Sequence, residues 1–125
     1  MIFEFLRFIE EIRPAYFVME NVANLKGIDN GRLLQEILSE MKHLGYDVKH
    51  RILNAVHYGS PQKRRRLIFI GSRKDQSIIA SLPEPTHGES QGFFQLLPIK
   101  TVADAFAGLP SPNYVPIEVP SHPTH

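Results

Sequence analysis

Two short stretches of this chain carry side chains suited to chemistry. The first is Glu20-Asn21-Val22, which follows the apolar run Ala15 to Met19. The carboxyl end of a buried strand is where loops leave an α/β sheet and where ligands bind. A carboxylate there is partly desolvated, which raises its pKa and suits it to hold or donate a proton near neutrality. A polar residue capping a strand end, or an acid paired with a nearby arginine, is the other reading, and these three residues alone favour it. The second stretch runs from Asn54 through Tyr58, Gly59, Pro61 and Gln62 to Lys63-Arg64-Arg65-Arg66. Along an extended chain Arg64 and Arg66 point to one face and Arg65 to the other. Two guanidinium groups on one side can clamp a carboxylate, a phosphate or a base carbonyl in a fixed fork geometry. A solvated basic run flanking a strand fits the triplet as well, and Gly59 and Pro61 suit a turn.

The elements that must position these residues follow from periodicity. Phe5, Leu6, Phe8, Ile9 and Ile12 recur at helical spacing with Glu4, Arg7, Glu10 and Glu11 between them. Pro14 ends that helix, because the residue before proline is pushed out of the helical region. Ala15 to Met19 reads as a strand buried on both faces. Leu33, Leu34, Ile37, Leu38, Met41 and Leu44 stripe a second helix, with Asn30 as N-cap and Gly45 at the left-handed C-cap. Tyr46, Val48, His50 and Ile52 alternate with charged residues as a period-two strand, and Leu67 to Ile70 is a further buried strand closed by Gly71. The order helix, strand, helix, strand, strand predicts an α/β fold with a terminal β-hairpin.

Beyond Ser72 the character changes, since eight of the ten prolines lie between Pro83 and Pro123. Only Thr101 to Ala107 predicts a short helix there. The expected organisation is an α/β body over 1–72 and a Pro-rich connection over 73–125.

Composition narrows the function classes. Six of the fourteen Lys and Arg residues fall between Lys63 and Lys74 on a chain of net charge +1. Such clustering points to a defined anion contact rather than general stickiness. No apolar run approaches the ~20 residues of a membrane span, and the first residues lack a basic leader and a cleavage site. A soluble cytoplasmic protein is the expectation. With no cysteine, disulfides and thiolate metal sites are excluded. The six histidines, including those of the final SHPTH, share no metal-ligand spacing.

Taken together, PAYFVMENVANL and LGYDVKHRILNAVHYGSPQKRRRLIFIGSR resemble two motifs of the cytosine-5 DNA methyltransferases of bacterial modification systems. These are the strand with its ENV motif and the NA-x-x-YG-x-PQ-x-R-x-R motif. MIFEFLRFIEEIRP resembles the helix before ENV, where the family places a cofactor-contacting apolar residue near Met1. LPEPTH and TVADAFAGLP resemble the passage into the target-recognition region. The resemblance implies the second half of a Rossmann-like sheet that binds S-adenosylmethionine, acting on DNA. In the family a cysteine thiolate adds to carbon 6 of a flipped-out cytosine, and carbon 5 then takes the methyl group. Glu20 matches the glutamate that contacts ring nitrogen 3 and the exocyclic amine. Arg66 matches the arginine that reaches the cytosine carbonyl oxygen, and Arg64 the one that supports the pocket. Asn21, Val22, Tyr58, Gly59 and Gln62 match residues shaping its loops.

The family's cofactor loop and its nucleophile loop have no counterpart in this sequence, and without cysteine the covalent step has no nucleophile. The resemblance therefore implies one flank of a base pocket, inactive alone, needing an amino-terminal half or partner subunit. A nucleic-acid- or partner-binding module of the same fold is the alternative. The strand at Ala15 to Met19 is expected to have an open edge, covered by self-association or by the Pro-rich tail.

Overall fold

The computed structural model describes residues 2–89 and 95–110. Helix α1 (Ile2–Ile12) leads into strand β1 (Tyr16–Val22). A stretch of 3-10 turns (Ala23–Gly31) then connects to α2 (Arg32–His43). Strand β2 (Tyr46–Asn54), a 3-10 turn (Ala55–Tyr58) and strand β3 (Arg65–Arg73) follow. Helix α3 (Val102–Phe106) comes last, where a short helix was expected, and opens on a capping box between Thr101 and Asp104. The predicted α/β order is present, and β2 and β3 form the antiparallel hairpin.

The sheet has three strands in the order β1-β3-β2, with β3 antiparallel to both neighbours. Its register decides everything about the site. Because side chains alternate along a strand, Phe17 and Met19 of β1 share one face with Leu67 and Phe69 of β3 and with Tyr46 of β2. Both long helices lie on that face. Leu6 and Ile9 of α1 and Leu34, Ile37 and Met41 of α2 close over it as one apolar cluster. Phe17 sits at the centre, edge-on to Phe5 (5.7 Å between centroids) and to Tyr46 (5.2 Å). Gly71 leaves room for that ring, since a Cβ there would lie 2.0 Å from Phe17 Cε1.

The opposite face has no helix on it among the described residues, and this corrects the reading of β1. It was expected to end at Met19 and to be buried on both faces. It runs to Val22 instead, with Glu20, Asn21 and Val22 paired against Ile68, Leu67 and Arg66. Tyr16, Val18 and Val22 are exposed, Val18 at 65%. The physical reason is the length of β3. Its ladder offers backbone partners beyond Met19, and a carboxylate is tolerated on a strand face that nothing apolar covers. Leu67 to Ile70 alternates in the same way, with Leu67 and Phe69 buried and Ile68 and Ile70 half-buried.

The second helix corrects another detail. Its N-cap position is Gly31, at φ +86°, and the preceding Asn30 is also left-handed at φ +53°. Asn30 thus points away from capping geometry, while Asp29 pairs with Arg32 at 2.7 Å and puts a negative charge beside the first turn. Gly45 is left-handed at φ +91°, as expected of a C-cap.

After β3 the chain runs back over the uncovered face. The Tyr16 hydroxyl donates to the Ile78 carbonyl, and the Ala80 N–H donates to the Ser72 hydroxyl. Arg51 Nη2 donates to the Pro83 carbonyl. The Pro-rich connection therefore covers part of a sheet face. The outer edge of β1 has no strand neighbour among the described residues.

Candidate functional site

The two stretches singled out in the sequence meet on the uncovered face. β1 and β3 are adjacent, and the register sets Val22 opposite Arg66 and Glu20 opposite Ile68. Glu20 and Arg66 thus sit diagonally on one face, within reach across the ladder. Arg66 Nε lies 2.6 Å from Glu20 Oε1. A second hydrogen bond, from Arg66 Nη1 to the Arg65 carbonyl at 2.9 Å, fixes the guanidinium plane. The Glu20 side chain is 52% exposed and that of Arg66 28%. Of the two readings of these residues, the fold thus provides the acid paired with a nearby arginine rather than the desolvated carboxylate. Glu20 is an accessible, ion-paired acid within a strand, oriented by its partner rather than by burial.

Arg64 is placed by its backbone. Its N–H donates to Asn54 Oδ1 at 3.0 Å, and its carbonyl accepts from the Ala55 N–H at 3.0 Å. Asn54 thereby closes the base of the loop that carries Pro61 to Lys63. The side chains of Lys63, Arg64 and Arg65 are exposed and have no hydrogen-bond or ion partner among the described residues. Arg64 and Arg66 do not grip one common group, since Arg66 is already engaged with Glu20. Asn21 bonds locally, its Oδ1 accepting from the Val22 N–H at 2.8 Å. Gln62 is exposed and takes no part in the pair. Met1 lies outside the described residues.

Tyr58 and Gly59 are held from an unexpected direction. The Tyr58 hydroxyl donates to the Pro83 carbonyl at 3.1 Å, the carbonyl that also accepts from Arg51. Gly59 is left-handed at φ +86°, and a Cβ there would meet His87 Cε1 at 2.9 Å. His57, His87 and Thr86 form a small polar cluster at this point, with Thr86 Oγ1 2.8 Å from His87 Nδ1. No group of three metal-ligating side chains occurs among the described residues. Reading the sequence passed over Asn54, Arg51 and His87 as positioning residues. Asn54 opens the second stretch, so proximity could have flagged it. Nothing in LPEPTH marks His87 as buried.

An adenosine cofactor needs a close backbone approach, usually at glycine after a strand. Gly27, in the passage from β1 to α2, has open space where a Cβ would stand, which leaves room for such an approach.

Comparison with known proteins points to one family. The C-5 cytosine-specific DNA methylase family matches residues 1–114. The chain is 40% identical over 105 residues to the Type II methyltransferase M.BsuRI of Bacillus subtilis, covering 84% of this chain and 23% of that protein. It is 42% identical over 110 residues to M1.HphI of Haemophilus parahaemolyticus, covering 88% and 27%. It is 38% identical to M.AquIA of Picosynechococcus, covering 88% and 50%. The chain thus spans about a quarter to a half of the length of these relatives. Among solved structures, a prophage-encoded DNA modification methyltransferase from E. coli superposes with a TM-score of 0.64 at 26% identity, over 86% of this chain and 29% of that one. With nearly its whole length matched and both motifs on one sheet, this chain belongs to the C-5 cytosine-specific DNA methylase family.

Proposed function

We propose that this chain supplies one flank of the base pocket of a DNA (cytosine-5-)-methyltransferase, and that it needs an amino-terminal half for activity. The observation that carries the reading is the Glu20–Arg66 pair, in which residues of both motifs converge to 2.6 Å on an accessible sheet face. A cytosine extruded from its duplex presents ring nitrogen 3 and an amine on one side and a carbonyl oxygen nearby. Glu20 is the acceptor or acid for the first pair, and Arg66 the donor for the oxygen. Arg64 lies on the same side of the loop, its guanidinium free to brace the pocket. Preplaced donors of this kind stabilise charge as it develops on the ring. S-adenosylmethionine supplies the methyl group in this family. Tyr58, Gly59 and Gln62 shape the neighbouring loop, while Asn21 and Val22 border the pocket from the end of β1.

In this reading residues 1–72 are the carboxyl-side half of a Rossmann-like catalytic sheet, and residues 73–125 connect it to a target-recognition domain. The unpartnered edge of β1 supports that division, because it is where further strands would add. A second copy of the chain at that edge is the homo-oligomeric alternative. The coverage of relatives supports a missing portion, and the chain's lack of cysteine agrees with inactivity in isolation. That same lack favours a second reading, a nucleic-acid- or partner-binding module without catalysis.

Transfer of a tritiated methyl group to cytosine-rich DNA separates the two. The chain is assayed alone and then mixed with a fragment carrying a family amino-terminal half. Activity only on mixing, abolished by Glu20→Gln, is the expected result. DNA binding without transfer in any combination would replace the catalytic reading with the binding module.

A further inference from the structure

The turn that delivers the arginine limb is held on one side by the hairpin and on the other by a segment outside the two motifs that carry the candidate chemistry. Residues 83–88 form a strap across it. The Thr86 and His87 N–H groups both donate to the His57 carbonyl, at 2.9 and 3.0 Å. His57 Nδ1 lies 3.3 Å from the His87 carbonyl. The Pro83 carbonyl accepts from Tyr58 and Arg51 together. Leu97 continues the arrangement, its N–H donating to Thr86 and its carbonyl accepting from Gly88. His87 closes the contact. It is 9% exposed, and its imidazole occupies the space that a side chain at position 59 would need.

Backbone groups that meet nothing else are satisfied here by partners from one short segment, so the turn's conformation depends on that segment being seated. We infer that His87 is a positioning residue: the strap at 83–88 holds the Ala55–Gly59 turn, and through it presents Arg64 and Arg66 to the base. The left-handed Gly59 is the complementary half of this device, leaving room for the imidazole while adopting a φ that other residues resist. The strap lies between β3 and the carboxyl-terminal part of the chain. Anything that pulls on residues after Gly88 therefore reaches the pocket through these few hydrogen bonds. The inference rests on the base-pocket reading for its functional half, but not for its structural half.

Two measurements on the full chain test it, and they fail separately. The first is amide hydrogen exchange in the wild type, His87→Ala and His87→Asn, the last keeping a polar atom where Nδ1 meets Thr86. His87→Ala is expected to speed exchange at Ser60 and Arg64 about tenfold while leaving Phe69 unchanged, with His87→Asn close to wild type. The second is the preference for duplex DNA with a cytosine opposite an abasic site over the same duplex fully paired. His87→Ala is expected to lower that preference about tenfold without changing affinity for the paired duplex, and His87→Asn to restore it. Gly59→Ala, which crowds the imidazole from the other side, serves as a second variant and should act like His87→Ala. Unchanged exchange at Ser60 and Arg64 overturns the strap. Faster exchange with an unaltered preference overturns the positioning role and leaves a purely structural contact. A wild type without any preference defeats the base-pocket reading, and the strap then stands or falls on exchange alone.

Discussion

The two faces of the sheet are built on different physics. The helix-covered face is closed by apolar side chains from α1, α2 and every strand, with Met41, Leu67 and Phe69 fully buried. Its stabilisation is non-directional and roughly proportional to area, at about 25 cal/mol per Å² of apolar surface removed from water. The other face is held by directional contacts: an ion pair across β1 and β3, a hydroxyl on Ser72, and backbone carbonyls at Ile78 and Pro83. The first kind of face accepts many sequences of similar volume. The second depends on which atoms meet, and it is the face that carries the candidate chemistry. The apolar core and the candidate site are thus separated by the pleat of three strands.

Substitutions on opposite sides of one strand pair should break that comparison most visibly. Phe69→Ala removes a fully buried ring from the central strand and should cost about 3–5 kcal/mol in urea unfolding, by lost transfer energy plus a cavity. Val18→Ala, on the uncovered face of neighbouring β1, should stay within about 0.5 kcal/mol. A comparable loss at both positions would mean that an additional element buries the second face in solution.

Arg66→Ala should have the reverse profile. The Glu20–Arg66 pair is partly exposed, so its loss should cost under about 1 kcal/mol of stability. Yet the preference for an extruded cytosine should fall by about tenfold to a hundredfold, if this donor meets the base carbonyl. Equal loss of affinity for paired and abasic duplexes would reduce Arg66 to a phosphate contact. Lys63 and Arg65 occupy the two unspecified positions between the motif's glutamine and its arginines, and both are exposed and unpaired among the described residues. Lys63→Ala or Arg65→Ala should flatten the dependence of log affinity on log salt by about 0.9 each, whatever the DNA sequence. An unchanged slope would place the duplex away from this loop.

How far the sequence carried follows the same division. The faces of α1, α2 and β2 were legible because burial imposes period on residue type, and Gly45 announced its own left-handed turn. The end of β1 was misread because strand length is set by the partner. Glu20 and Asn21 look like a stop only until β3 is laid beside them. Glu20 and Arg66 were recognisable from resemblance, but their separation was not. It depends on β3 inserting between β1 and β2, a pairing with no local signal. His87 was unreadable for the same reason in stronger form. Its burial comes from long-range contacts with His57 and Gly59, and irregular chain offers no periodicity from which to infer them.

The smallest expected effects are in pH, and they again fall on the two kinds of contact. His50 stacks on Phe69 beside the apolar core, where burial, with the nearby charge of Lys26, holds its pKa below the ordinary value of 6.5. The unfolded chain therefore takes up a proton first as pH falls, and the folded state loses stability through and below pH 6.5. His50→Gln should remove the difference between urea midpoints at pH 7.5 and pH 5.5 that this residue contributes. Asp75 lies at the polar extreme. Its hydrogen bonds to Arg73 and Gln76 depress its pKa from 3.8 to about 2. Stability from that contact is present above the unfolded value and is lost as pH falls from 3.8 to about 2. Asp75→Asn should flatten that acid limb only. Loss of the slope near pH 6 in Asp75→Asn, or of the acid limb in His50→Gln, would show that the two contacts are coupled rather than independent.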